Sequence, residues 1–130
     1  MNWTEWAKAE ERRLLPEFTE CTVEVVTVTE NFWGDPNSIQ LRIVVIGHPE
    51  VRDFPMWLHL PRTMPGGVKA RQYYDDARKI TEFIRGFGLD GNSEFDPRDF
   101  KGKRAKVILG YHTTKRGDII HRIFHFVERA

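Results

Sequence analysis

The chain has 130 residues, 40% of them hydrophobic and 30% charged, with a formal net charge of +1. That length suits one domain that buries a core unaided, and the lone cysteine, Cys21, excludes an internal disulfide. The longest apolar run, Ile43-Val44-Val45-Ile46, is far below the roughly 20 residues that cross a bilayer, and MNWTEWAKAEERR lacks the apolar stretch of a signal peptide, so a cytoplasmic protein without membrane contact is expected.

Residues 1–16 read as a short helix and its lead-in. Trp3, Trp6, Ala7 and Leu14 fall near helical spacing over 3–14, and Pro16 stops the segment. This helix is expected to pack on the rest of the chain or on a partner. From Cys21 to Trp33 the residues are rich in β-branched side chains, but Val23 and Val25 share one parity while Val26 and Val28 share the other. That break predicts a β-bulge in a long first strand. Gly34-Asp35-Pro36-Asn37 is a turn. The second strand, SIQLRIVVIG, turns Ile39, Leu41, Ile43 and Val45 inward and Gln40, Arg42 and Val44 outward. The third, MWLHL, turns Met56, Leu58 and Leu60 inward and Trp57 and His59 outward.

Residues 68–87 form a helix with an apolar stripe of Tyr73, Ala77, Ile80, Ile84 and Phe87. Its opposite side alternates Arg71, Asp75, Arg78, Glu82 and Arg85, and Gly86 or Gly88 supplies the stop. After a turn-rich connection, RAKVILGYHTT and IIHRIFHFVER make a hairpin through Lys115-Arg116-Gly117-Asp118. The order strand, strand, strand, helix, strand, strand predicts a mainly β single domain over 1–130. Its residues 21–128 are expected to form a five-stranded barrel of the OB type.

Barrels of this type bind oligomeric ligands across strands 2 and 3, between the 1–2 and 4–5 loops. There the sequence offers Gln40, Arg42, Trp57 and His59 on the strands and Phe32 and Trp33 at the first loop. The second hairpin adds Tyr111, His112, Lys115, Arg116 and Arg122. Aromatic rings stack on bases and neighbouring cations neutralise phosphates, so these residues are the expected site for single-stranded DNA or RNA. Charge distribution agrees: residues 101–130 hold eight Lys or Arg against two acidic residues, whereas the rest hold twelve against seventeen. Trp57 has an alternative place beneath the N-terminal helix, against Trp3 and Trp6.

Chemistry beyond binding has little to stand on. A two-residue Arg116-Gly117 loop would set His112 opposite His121, but no third ligand follows at a usual spacing, so no metal and no cofactor are expected. Asp75-Asp76 and the group Glu94, Asp96, Asp99 lack a partnered lysine or metal motif, and Gly66-Gly67 lacks the P-loop pattern. An enzyme is not expected.

From Leu15 to Val127 the chain resembles a family of small bacteriophage single-stranded DNA-binding-like proteins encoded with replication and recombination genes. The residues that carry this are CTVEVVTV, RKITEFIRGFGLDG, DPRDFKGKRAKVIL and IIHRIFHFV. The resemblance implies a role in phage replication or recombination, in the cytoplasm of an infected bacterium, with copies of the chain or other replication proteins as partners. Many single-strand-binding proteins end in an acidic recruiting tail, whereas this sequence ends Glu128-Arg129-Ala130. Partner contact is therefore expected through the N-terminal helix.

Overall fold

A computed structural model describes residues 2–11, 13–31, 34, 37–61 and 70–127. Its backbone is organised by β1 (Glu20–Glu30), an eleven-residue strand that serves two partners in turn. The first half of β1 pairs with β4 (Arg104–Thr113), from Glu20 opposite Ile108 to Glu24 opposite Arg104. Its remainder pairs with β2 (Ser38–Val45), from Val23 opposite Val45 to Glu30 opposite Ile39. Between Val25 and Thr27 the register shifts, which is the bulge that the valine parity predicts. Adding β3 (Phe54–His59) to β2 and β5 (Ile119–Phe126) to β4 gives one antiparallel sheet, ordered β3-β2-β1-β4-β5.

The sheet is open. Where the sequence predicts a barrel of the OB type, no ladder joins edge strands β3 and β5 among the described residues, although their backbones draw near each other. Phe54 meets His121 edge-on across this seam, with ring centroids 6.1 Å apart. β3 is only six residues long and carries Pro55, which cannot donate to a ladder and so belongs on an edge.

Parity along the strands is as predicted. Ile39, Leu41, Ile43, Val45, Met56 and Leu58 are buried, while Gln40, Arg42, Val44 and Trp57 are partly exposed and His59 is exposed. Helix α2, the second of two after α1 (Trp3–Glu11), spans Ala70–Gly86 and packs Ile80 and Phe83 into the same core. Phe83 is absent from the predicted stripe, and Tyr73, Ala77 and Ile84 prove only half-buried. The helix is rotated toward β5, where Phe126 meets Phe83 at 5.1 Å and Phe87 at 5.4 Å. Gly86 permits that approach, because a Cβ there would lie 2.2 Å from the Phe126 ring. Gly88 supplies the stop: its φ is +74°, with Leu89 N–H donating to Ile84 O and Gly88 N–H to Arg85 O.

Two further expectations are corrected. α1 ends at Glu11 rather than residue 14, and its Trp3 and Trp6 are 68% and 59% exposed, so of the two expected places, the sheet or a partner, the sheet is not taken. The β4–β5 connection is five residues, Thr114–Asp118, rather than two, because Thr114 N–H donates to Asp118 O and Gly117 N–H donates to Thr114 O. The longer turn sets Tyr111, not His112, opposite His121. His112 pairs with Ile120, so the two imidazoles stand on opposite faces.

Tyr111 and His121 together hold the lead-in. Leu15 N–H donates to His121 Nε2 at 2.9 Å, and Tyr111 Oη–H donates to Leu15 O at 2.6 Å. His121 Nδ1 lies 3.4 Å from Gly110 O, a longer and weaker contact, so the Leu15 bond fixes the neutral ring with its proton on Nδ1. His121 is 1% exposed, and burial pushes its pKa below the ordinary 6.5, against a smaller opposing pull from the Gly110 carbonyl. A lowered folded pKa means that the unfolded chain binds the proton more tightly. Stability is therefore predicted to be full above pH 6.5 and to decline as pH falls below it. Urea unfolding between pH 8 and pH 5, with His121→Gln as control, checks this. An equal decline in both proteins would assign the pH dependence elsewhere.

Candidate nucleic-acid interface

The outer face of the β2–β3 ladder follows from its register. Gln40 stands opposite Trp57, Arg42 opposite Pro55, and Ser38 opposite His59, so Gln40, Arg42, Trp57 and His59 share one surface. Arg42 Nε lies 3.9 Å from Asp53 Oδ2, with both side chains well exposed. A surface pair of that length contributes at most about 1 kcal/mol, which leaves the guanidinium able to take a phosphate. Phe32 and Trp33 lie outside the described residues.

Trp57 faces away from the core, as its parity requires, yet it is half-buried and its Nε1 is shielded from solvent. The N-terminal helix is not its cover, since Trp3 and Trp6 are themselves exposed. Trp57 instead borders a half-open cleft of about 720 Å³ along the β3–β5 seam. One wall is His59 and Trp57 on β3, and the other is His112, Arg122 and Phe124 on the β4–β5 hairpin. The α2 residues Asp75, Asp76, Arg78, Lys79 and Glu82 overhang it.

Charge in the cleft is balanced. Asp75 pairs with Arg78 at 3.7 Å, and Asp76 accepts from Gln72 Nε2 at 2.8 Å. Burial lowers the pKa of Lys79, while neighbouring Asp76 pulls it back up and Arg122 lowers it further. Three carboxylates against three cations make a polar, nearly neutral wall. It is suited to groups that both donate and accept hydrogen bonds, rather than to bare phosphate.

The remaining predicted residues divide. His112 and Arg122 border the cleft, and Lys115 and Arg116 sit exposed in the turn beyond them. Tyr111 clasps the lead-in: its hydroxyl is committed to Leu15 O and its ring lies 5.5 Å from His121. Asp96 is a cap, accepting from Arg98 N–H at 3.0 Å at the start of a 3₁₀ turn (Pro97–Phe100). Hydrogen bonding and charge from Arg98 hold its carboxyl below the usual range.

Sequence reasoning missed Phe124, which is 52% exposed. The ladder passes from Ile108 opposite His125 to Leu109 opposite Ile123, leaving Phe124 as the bulged residue of β5. Ile123 and Phe126, on opposite parities, both pack on the core, but apolar Ile119, Ile120 and Phe124 fill both parities of the segment and hide the shift. Compared with family models, curated proteins and solved structures, the chain shows no match.

Trp57→Ala is predicted to cost about 1–3 kcal/mol of stability, below the ~3–5 kcal/mol of a fully buried tryptophan. Urea unfolding measures the loss, and a cost at the upper figure would make Trp57 a core residue.

Proposed function

We propose that this chain is a non-enzymatic, OB-type protein that binds single-stranded nucleic acid, DNA foremost, across the outer face of β2 and β3. The observation that carries this reading is the shared exposure of Gln40, Arg42, Trp57 and His59 on one ladder. The strand order supports the OB type, which is itself a partly open five-stranded barrel with its ligand face on strands 2 and 3. Base stacking on Trp57 supplies about 1–3 kcal/mol, and Arg42, Lys115, Arg116 and Arg122 meet the phosphates. Trp33 and Phe32, which precede β2 in the sequence and lie outside the described residues, are offered as further stacking residues. A setting in phage replication or recombination rests on the sequence resemblance.

Titration of the protein's tryptophan fluorescence with oligo-dT at several salt concentrations tests this reading. Quenching with a steep salt dependence is expected, together with tighter binding to single strands than to duplex of equal length. Equal or stronger duplex binding would contradict it. Lys115→Ala with Arg116→Ala is predicted to weaken binding to all sequences alike, reducing the salt slope by about one for each phosphate left without its cation. An unchanged slope would leave these cations with a solubilising role.

A second reading is an assembly module, and the exposure of Trp3 and Trp6 on α1 favours it. A nine-residue helix is short of the roughly 12–15 residues that hold together alone in water, so it gains from a partner surface. Sedimentation of the chain against Trp3→Ser with Trp6→Ser separates the readings. A change in mass with oligonucleotide binding intact would give α1 the assembly role.

A further inference from the structure

We infer that a single strand bound on β2–β3 continues across the β3–β5 seam and stacks a base on Phe124, with Arg122 beside it. This extends the binding reading above and depends on it. Five features converge on the place. Phe124 is the bulged residue of edge strand β5, and bulges re-aim a side chain out of the regular pleat. It remains 52% exposed, although a phenyl ring in water forgoes the burial its area could provide.

Beneath it lies Gly110, where a Cβ would come within 3.3 Å of both Phe124 Cβ and Arg122 Nε. The missing side chain leaves room for that pair to lie across β4. Arg122 is anchored by its Nε–H to Tyr111 O at 3.2 Å, with its guanidinium carbon 5.6 Å from the Phe124 ring centre. Phe18 braces the ring edge-on at 5.2 Å and is itself 58% exposed. It does so at φ +67°, a left-handed conformation that is uncommon for a bulky residue. Its N–H is held by Leu109 O at 2.8 Å.

Phe124, Arg122 and Trp57 border the same cleft, so the two aromatic positions belong to one continuous surface. The α2 wall between them sets Asp75, Asp76 and Glu82 against only Arg78 and Lys79, so it offers donors and acceptors to base edges and disfavours a bare phosphate chain. The phosphates then run on the outer side, toward Arg42 and Arg122.

The test compares the wild-type protein with Trp57→Ala, Phe124→Ala and Phe124→Trp in oligo-dT titrations at low salt, with thermal unfolding alongside. Ultraviolet cross-linking of the wild-type complex, followed by peptide mass spectrometry, reads the contact directly. Phe124→Ala is expected to weaken binding by about 5- to 150-fold, the range for removing one base stack, with little change in melting temperature. Phe124→Trp is expected to retain binding, and the cross-link to fall in residues 119–126. Intact binding by Phe124→Ala, with Trp57→Ala impaired and no cross-link in β5, overturns the extension and spares the β2–β3 site. No binding by the wild-type protein overturns both. A loss of binding that Phe124→Trp fails to restore and that tracks a fall in melting temperature also overturns it, assigning Phe124 to folding.

Discussion

The bulge in β1 is the constraint on which the rest of this structure depends. One strand serves β4 along one edge with Glu20–Glu24 and β2 along the other with Val23–Glu30, and the register shift between Val25 and Thr27 falls just beyond the doubly paired Val23–Glu24. A bulge adds local bend and right-handed twist, so β2 and β4 splay around β1 instead of lying flat. That curl brings the outer edges, β3 and β5, toward each other and leaves a seam for α2 to overhang. Without it, Trp57 and Phe124 would lie at opposite ends of an open five-stranded sheet.

Curvature alone does not hold the lead-in. Leu15 is tied by both backbone groups, its N–H to His121 and its carbonyl to Tyr111, and those two residues face each other across β4 and β5. Side-chain bonds of this kind each contribute about 1 kcal/mol, but an orphaned buried partner costs about 1–3 kcal/mol. The asymmetry explains why two residues that could have served a ligand are spent on the fold.

Much of this was legible in the residues. Ile39, Leu41, Ile43 and Val45 alternate with outward Gln40, Arg42 and Val44, because a strand with one buried face shows its period directly. The bulge was readable from the valine parity, and Gly88 from its place after the last helical turn. What escaped depends on contacts far along the chain. Phe83 is buried because Phe126 draws α2 toward β5, and no helical stripe reports its own rotation. Pairing of Tyr111 with His121 depends on a turn closed by Thr114 and Asp118, which lengthened the loop beyond its glycine signal. Sheet closure depends on two edge strands that are far apart in sequence, and Phe124 gains its exposure from a second bulge whose parity change is masked by apolar residues at both parities. Faces set by strand parity, such as those of Gln40 and Trp57, followed from the residues; pairings set by register, such as that of Tyr111 with His121, did not.

The central claim is that the outer face of β2 and β3 is where a single strand lies. Amide and indole chemical-shift mapping during titration with oligo-dT tests it residue by residue. The largest shifts are expected at Gln40, Arg42, Trp57 and His59, with the outer β1–β4 surface at Thr22 and Lys106 unmoved. Shifts confined to α1, or spread evenly over exposed Lys and Arg with Trp57 silent, would contradict it.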